Sequence, residues 1–185
     1  ASEARLASYF AIAKRDVPVK HWFHLGRPIT GSGDKLTILS WNGSMFEYLM
    51  PALLLPSEAD RLLGQSERAA VAVQQAYGAK LGLPWGVSES GFAARNEYDH
   101  YQYQAFGVPG LGIKRGLADD YVVAPYASAL ALIVAPVAAT ANLRRLDKLG
   151  LCGRYGFFEA ADFTPQRLAP EHDFMPVRSY MAHHQ

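Results

Sequence analysis

Three short segments of the 185-residue chain each place one carboxylate beside aromatic rings and glycine. They span residues 40–48, 85–90 and 155–160, and their acids are Glu47, Glu89 and Glu159. Flat apolar rings pack on the faces of sugars, while carboxylates accept hydrogen bonds from hydroxyls and move protons. These residue types therefore indicate a cleft that processes carbohydrate.

Glu89 is the first candidate for catalysis. Glycosyl transfer and hydrolysis need two carboxyl groups across the scissile bond, one as acid and the other as base or nucleophile. Glu89 lies between Trp85 and Gly91 in a stretch with hardly any other charge. An aromatic, partly dry environment raises the pKa of a carboxyl group toward the value that a general acid needs. The alternative is a glutamate that caps a helix through Ser88 or Ser90.

Three further acids have two interpretations each. Glu47 interrupts an otherwise apolar helical stretch, and a buried unpaired carboxylate is costly, so it needs a partner such as an arginine or a role in the chemistry. Glu3 lies on the first helical segment, where an ion pair with a nearby base is the alternative to function. Glu159, with Asp162, occupies a glycine- and aromatic-rich loop, which fits sugar-hydroxyl binding and loop capping equally well.

An aromatic run follows the second segment. Glutamines alternate with its rings, as a stacking platform for sugars requires, although a hydrophobic anchor for the loop has the same composition. The rings are those of Tyr98, Tyr101, Tyr103 and Phe106.

Several other kinds of site are excluded by spacing. The adjacent His183 and His184 point about 100° apart on a helix, and there is no HExxH or spaced Cys and His cluster, so we expect no metal and no cofactor. The glycines of residues 107–112 follow no predicted strand, which argues against a dinucleotide fingerprint. Ser88 lies outside any GxSxG motif, so the nucleophile elbow of the α/β-hydrolases is missing.

Composition narrows the class of partner. The net charge is +1 with acids and bases interspersed, which gives no reason to expect nucleic acid or an anionic membrane surface. The single cysteine, Cys152, cannot form an internal disulfide. No apolar run reaches the roughly 18 residues of a membrane span, and no signal peptide is visible. Both ends of the sequence look cut, so we expect a fragment of a longer protein.

The elements that must position these residues read as helices separated by long loops. Residues 19–42, 82–117 and 150–176 are predicted as loops, the first with its tip at residues 31–34, and Thr37–Leu39 as the one possible strand. Ser57 is predicted to cap the third helix. Periodicity and prolines predict helices over residues 1–15, 43–55, 57–81, 125–134 and 136–149, and a last one from near Val177. This organisation favours an all-α fold, an (α/α)6 toroid in which rim loops build the site.

Nine phrases of the sequence carry a family resemblance, in order and from the first residue to the last. The chain resembles the glycoamylase-like domain of bacterial cyclic β-1,2-glucan synthases, which is similar to endo-β-1,2-glucanases. The phrases are SEARLASYFAIAK, KHWFHLGRP, SWNGSMFEYLMP, PWGVSESGF, YQYQAFGVPGLGIKRGL, VVAPYASALAL, NLRRL, GRYGFFEAADFTP and YMAHHQ.

The resemblance implies a retaining transglycosylase that cuts linear β-1,2-glucan and closes the piece into a ring. Carried over residue by residue, it makes Glu89, in WGVSES, the nucleophile and Glu3, in SEARLAS, the acid/base. Lys114 and Arg115 are expected to pair with buried acids. The residues expected to contact sugar are Glu47 and Glu159 through hydroxyl groups and Trp41, Trp85, Tyr101 and Tyr103 through ring stacking.

The resemblance also implies a context. Residues 1–185 would be one glycoamylase-like domain, truncated at both ends, whose toroid is incomplete. Its partners would be β-1,2-glucan and the other domains of a large membrane-associated synthase, with this segment soluble on the cytoplasmic side of the bacterial inner membrane. Two alternatives remain: an inverting endo-β-1,2-glucanase and a non-catalytic glucan-binding domain.

Overall fold

The computed structural model describes residues 2–32 and 35–185. Six α-helices lie in this part of the chain: α1 (Arg5–Ala13), α2 (His21–His24), α3 (Met45–Leu54), α4 (Leu62–Leu81), α5 (Pro125–Leu130) and α6 (Pro136–Lys148). The strands are β1 (Ile29–Ser32), β2 (Lys35–Ile38), β3 (Ser90–Arg95), β4 (Tyr101–Gln104), β5 (Val122–Val123), β6 (Cys152–Gly153), β7 (Gly156–Phe157), β8 (Ala160–Asp162) and β9 (Met175–Val177).

Local chemistry explains where the longer helices begin and end. Ser44 and Glu47 form a capping box at the start of α3. Pro125 and Pro136 occupy the first turns of α5 and α6, where the missing N–H costs nothing. Gly82 ends α4 with φ +73°, a left-handed conformation that glycine adopts without strain. The predictions of these helices are confirmed to within a few residues, apart from the start of α4.

Strands fill the segments that were predicted as loops. Antiparallel hairpins β1–β2, β3–β4 and β6–β7 each form a two-stranded sheet, and β8 lies between β5 and β9 in a three-stranded sheet. The β3–β4 hairpin packs against β8 and β9. This arrangement brings the segment after residue 82 against the segment around residue 160.

The core lies between α3, α4, the three-stranded sheet and one face of α6. Its fully buried side chains include Met45, Leu49, Val71, Val122 and Leu146. No helix in the described ranges is both long enough and apolar enough to cross a bilayer.

The all-α expectation is not confirmed, because the described residues contain nine strands. These strands are two to six residues long and stand in glycine- and aromatic-rich stretches, so they leave no alternating pattern in the sequence. The predicted strand at Thr37–Leu39 is present as the end of β2, whereas part of the predicted loop tip, residues 33–34, lies outside the described residues.

Two predicted helix starts were wrong. The helix expected near Val177 is the strand β9 followed by turns, since Pro176 favours an extended residue before it and Val177 is fully buried in the sheet. Helix α4 begins at Leu62 with Arg61 as its N-cap. Ser57 instead donates a hydrogen bond of 2.7 Å to Glu67, a buried acid farther along the helix.

Candidate active site

Glu89 lies in the bend just before β3 and is half-buried. It caps no helix, which removes the alternative role considered from the sequence. The main chain around it is firmly held. Ser88 Oγ accepts a hydrogen bond from the Phe46 N–H at 3.1 Å, and the Tyr126 hydroxyl lies 2.7 Å from Ser88 Oγ and 2.8 Å from the Glu89 carbonyl.

The surroundings of Glu89 raise the pKa of its carboxyl group. Burial is the largest cause, and the negative charges of Glu3 and Glu47 act in the same direction. A positive charge on His184 acts in the opposite direction. Glu3 and Glu89 therefore lie close enough for their charges to interact, although they belong to distant parts of the sequence.

Glu3 and Glu89 share a second property. Among the residues that the structure describes, no side chain or main-chain group donates a hydrogen bond to either carboxylate, and neither forms an ion pair. Glu3 is exposed just ahead of α1, whereas Glu89 is half-buried. Carboxylates without protein partners are free to bind a ligand or to exchange protons with it.

Glu47 differs from this pair because its carboxylate is already saturated. It is 5% exposed and accepts hydrogen bonds from the N–H groups of Trp41, Asn42 and Ser44 and from the hydroxyls of Ser40 and Ser44. The expectation that Glu47 contacts sugar stays a prediction, for which this carboxylate has few free acceptor positions. The alternative of a paired buried glutamate describes it, with N–H and hydroxyl groups in place of an arginine.

Glu159 is also buried and paired. It is 2% exposed, accepts a hydrogen bond of 3.0 Å from the Gly91 N–H, and lies 2.9 and 3.1 Å from His184 Nδ1 through its two oxygens. Its neighbour Asp162 is fully buried and binds the Arg167 guanidinium. Both acids join loops of the fold, and the expected contact between Glu159 and sugar stays a prediction.

The four predicted stacking residues divide into two groups. Tyr103 is 44% exposed and Trp41 62% exposed, so both present a ring to a ligand. Trp85 is only 8% exposed and belongs to the core, which leaves no free face for stacking. The ring of Tyr101 is covered by the Arg95 guanidinium, whose Cζ lies 4.2 Å from the ring centroid.

The predicted pairing of Lys114 and Arg115 with buried acids is not observed in the described part of the chain. Lys114 Nζ donates to the Ala105 carbonyl at 2.9 Å, and Arg115 is exposed. No group of three or more His, Cys, Asp or Glu side chains within the described ranges could hold a metal ion.

Sequence reasoning missed two members of the site, His184 and Tyr126. His184 was considered only as a metal ligand, and Tyr126 only as part of a helix. Their rings stack with centroids 3.8 Å apart at 13°. The Tyr126 hydroxyl contacts the Glu89 carbonyl, and His184 acts on Glu89 through its charge. The pairing of a buried histidine with a distant carboxylate leaves no local pattern, so the sequence carried no signal for it.

Glu3 and Glu89 are thus two carboxylates without hydrogen-bond partners among the described residues, and the charge of Glu3 acts on Glu89. Glycoside hydrolysis uses a pair of carboxyl groups. The comparisons with known proteins identify the family. The family model described as "Putative glucoamylase" matches residues 1–185. The chain therefore belongs to the glycoamylase family. It is 50% identical over 184 residues to the cyclic β-(1,2)-glucan synthase NdvB of Rhizobium meliloti (strain 1021), covering 100% of the chain but only 6% of that protein.

Solved structures show the same fold at low sequence identity. An endo-β-1,2-glucanase from Chitinophaga pinensis, in complex with sophorotriose and glucose, aligns with a TM-score of 0.54 and 15% identity over 75% of this chain and 35% of that one. A protein from Bacteroides fragilis NCTC 9343, described as a "putative glucoamylase", aligns with a TM-score of 0.55 and 18% identity over 82% of this chain and 36% of that one. The chain thus spans about a third of each of these structures.

Proposed function

We propose that this chain carries a retaining transglycosylase site that cuts linear β-1,2-glucan and religates the piece into a cyclic β-1,2-glucan. The observation that carries the proposal is the Glu3–Glu89 pair: two carboxylates without hydrogen-bond partners among the described residues, each within the field of the other. The 50% identity to a cyclic β-1,2-glucan synthase supplies the substrate class.

The proposed reaction has two displacements. Glu89 attacks the anomeric carbon while Glu3 gives a proton to the leaving glycosidic oxygen, so that the bond to the rest of the chain breaks and a covalent glycosyl-enzyme forms. Glu3, now ionised, then takes a proton from an incoming hydroxyl group. When that hydroxyl belongs to the other end of the bound glucan, its attack on the anomeric carbon releases Glu89 and closes the ring.

Aromatic rings support this reading of the site. Trp41 and Tyr103 offer exposed ring surface, and the Trp41 N–H binds Glu47, whose charge reaches Glu89. Tyr103 lies near the proposed nucleophile, since burial and the charge of Glu89 raise the pKa of its hydroxyl. A glucosyl unit packed on the Tyr103 ring would therefore lie beside Glu89.

The wider context is part of the proposal. The similarity to about a third of each glucanase-like structure supports assigning the chain to an incomplete (α/α)6 toroid with β-hairpins in its rim loops. Because the chain spans 6% of the synthase it resembles, its partners would include other domains of a membrane-associated synthase at the cytoplasmic side of the inner membrane.

An inverting endo-β-1,2-glucanase is the second candidate, favoured by the similarity to the Chitinophaga pinensis enzyme. In an inverting enzyme the carboxylates stand farther apart and a water attacks directly. The anomeric configuration of the first product separates the two reactions, because only the retaining enzyme preserves it.

The test is incubation of the full-length protein with linear β-1,2-glucan, with the products read by mass. Cyclic product is lighter than the linear glucan of equal length by one water. We expect Glu89→Gln to abolish ring formation while glucan binding persists, and the exposed Glu171→Gln to behave as the unaltered protein. Full ring formation by the Glu89 variant would refute the assignment. Glucan binding without any product would instead indicate a non-catalytic binding domain.

A further inference from the structure

Hydrogen bonds hold the turn that carries Glu89 on both sides. On one side the Tyr126 hydroxyl contacts Ser88 Oγ at 2.7 Å and the Glu89 carbonyl at 2.8 Å. On the other side the Gly91 N–H donates a hydrogen bond of 3.0 Å to Glu159. These contacts join helix α5 and the segment before β8 to the residues that flank the nucleophile.

His184 contacts both residues that make these hydrogen bonds, Glu159 and Tyr126. Its Nδ1 lies 2.9 and 3.1 Å from the carboxylate oxygens of Glu159, the geometry of an N–H donor to a carboxylate. Its ring stacks on Tyr126 at 3.8 Å and 13°. The side chain is 1% exposed. A single buried imidazole therefore contacts both residues that hold the Glu89 turn.

We propose that Glu159, His184 and Tyr126 form a positioning clamp that fixes the Glu89 turn and sets a buried imidazole near the nucleophile. The inference rests on the proposed function, because it assigns to the clamp the task of keeping Glu89 ionised for attack. The three residues do not react with substrate; they act through Glu89.

Only one nitrogen of the His184 imidazole has a hydrogen-bond partner among the described residues. Its Nε2 is buried and has no hydrogen-bond partner within the described part of the chain. A buried polar atom without a hydrogen-bond partner destabilises the fold, so such atoms are rare unless the position has another use. Stabilising a nearby carboxylate is such a use, since a histidine that donates through Nδ1 becomes a cation when Nε2 is protonated too.

The groups around Glu89 act on its pKa in opposite directions. Burial and the charges of Glu3 and Glu47 all raise the pKa of Glu89, and His184 lowers it. Glu89 in turn raises the pKa of Tyr103 and of Tyr126, which burial already places above the ordinary value. The groups that face the clamp are completed by Glu159 and by His183, whose ring centroid is 4.0 Å from that of His184.

An attacking carboxylate must be ionised, so an environment that only raised its pKa would leave Glu89 protonated and suited to the acid role. His184 supplies the opposing effect. Without His184 the acidic limb of the pH–rate profile should move to higher pH, since ionisation of Glu89 then requires a more alkaline solution.

The experiment compares three variants of the full-length protein by pH–rate profiles for glucan turnover. His184→Gln should lower the rate about 10-fold or more on the acidic side of the optimum, the scale on which residues behind a reactive group act, and shift the acidic limb upward. Tyr126→Phe keeps the stacked ring but loses the hydroxyl, so it should lower kcat without moving the limb. The matched control, His172→Gln, alters an exposed histidine outside the clamp and should change neither.

A second readout does not depend on activity. Carbodiimides modify protonated carboxyl groups, so the pH dependence of Glu89 labelling, followed by peptide mass spectrometry, reports its ionisation directly. The midpoint should move to higher pH in His184→Gln and stay in place in His172→Gln.

The outcomes separate the two proposals. Absence of turnover by the unaltered protein overturns the proposed function, and the labelling midpoint still tests the clamp. Turnover with an acidic limb and labelling midpoint that are the same in His184→Gln overturns the clamp and leaves the proposed function standing. An upward shift of both in folded His184→Gln supports the clamp.

Discussion

At the scale of single residues, hydrogen bonding sorts the four candidate glutamates into two kinds. Glu47 and Glu159 are buried and saturated, whereas Glu3 and Glu89 lack partners among the described residues. A saturated carboxylate stabilises the fold, and an unsaturated one beside a like charge is a cost to it. The two kinds therefore respond in opposite ways to replacement.

Replacement of Glu89 by glutamine should stabilise the protein. The pKa of Glu89 is raised in the folded state, so ionising the carboxyl group costs more there than in the unfolded chain. That cost is absent below the unfolded-state pKa, grows as the pH rises through the folded-state pKa, and is constant above it. We expect Glu89→Gln to raise the free energy of unfolding at about neutral pH by roughly 0.2–1 kcal/mol, a range kept small because solvent screens the half-exposed carboxyl group.

Denaturant unfolding at several pH values checks this expectation. The gain should shrink as the pH falls, because both proteins are then uncharged at residue 89. A gain that is independent of pH, or a loss of stability at neutral pH, would contradict the raised pKa. Glu171→Gln, at an exposed position, is the control and should have little effect at any pH.

Replacement of Glu47 by alanine should have the opposite effect. It removes the capping box of α3 and leaves the N–H groups of Trp41, Asn42 and Ser44 without their acceptor. We expect a loss of roughly 2–4 kcal/mol in the free energy of unfolding, since each unsatisfied buried donor costs about 1–3 kcal/mol. The matched control is Glu58→Ala, at an exposed position. Thermal unfolding measures both variants. Equal melting temperatures would contradict the role given to Glu47.

The sequence singles out Glu89 but does not reveal its surroundings. Glu89 was identifiable because it stands alone among aromatic and small residues. Glu47 and Glu159 resembled it in composition, but their partners are N–H groups and an imidazole brought close by tertiary folding. His184 is 25 positions from Glu159, and no local pattern signals that contact.

At the scale of elements, the helices were predictable and the strands were not. Helices α3, α5 and α6 announce themselves by a capping box or a first-turn proline together with apolar periodicity. The strands of the three-stranded sheet are two or three residues long and buried on both faces, so neither length nor alternation marks them. Their pairing depends on contacts across long stretches of chain.

The glycine-rich segment at residues 107–112 illustrates an element whose purpose appears only in three dimensions. It lies against the loop at residues 41–43, where Ser40 and Gly112 form a β-bridge and the Val108 N–H donates to the Gly43 carbonyl at 3.2 Å. A Cβ atom on Gly107 would overlap the Asn42 carbonyl. The glycines therefore permit close backbone approach beneath Trp41 and do not bind a nucleotide.

Gly107→Ala should consequently destabilise the fold more than Gly110→Ala. Gly110 has φ +86°, and no atom lies within 4 Å of the place that an added methyl group would take, so alanine there meets only the conformational cost of about 1–2 kcal/mol. At Gly107 the backbone of Asn42 must move, which we expect to cost roughly 3 kcal/mol or more. Chemical denaturation of both variants measures the difference, and equal losses would show that the two loops separate without penalty.

At the scale of the whole molecule, one buried ion pair fastens the first helix to the body. Arg5 Nη2 contacts Glu67 of α4 at 2.9 Å and donates to the Tyr48 carbonyl of α3 at 2.8 Å, while Nη1 donates to the Ser2 carbonyl at 2.8 Å. Ser2 immediately precedes Glu3, the proposed acid/base. The arginine therefore ties the segment that carries Glu3 to the two helices that support the Glu89 side.

Burial dominates the electrostatics of this pair. It lowers the pKa of Arg5 and raises the pKa of Glu67, in each case against the attraction of the partner. Removal of one partner leaves a buried charge, which typically costs about 3–5 kcal/mol, whereas replacement of both by apolar residues of similar volume is often neutral or stabilising. Stability and the positioning of Glu3 can thus be separated.

The double variant Arg5→Leu/Glu67→Leu should retain the stability of the unaltered protein within about 1 kcal/mol, yet lose activity on β-1,2-glucan about 10-fold or more, because the Ser2 carbonyl loses its anchor and Glu3 its fixed position. Glu67→Gln is the comparison. Its amide oxygen can still accept a hydrogen bond from Arg5, and the arginine keeps its contacts with the Ser2 and Tyr48 carbonyls. Activity should therefore fall much less. Unfolding curves and turnover of the full-length proteins give both quantities. A stable double variant with unchanged turnover would mean that Glu3 needs no anchoring through Arg5, and would weigh against Glu3 as the acid/base.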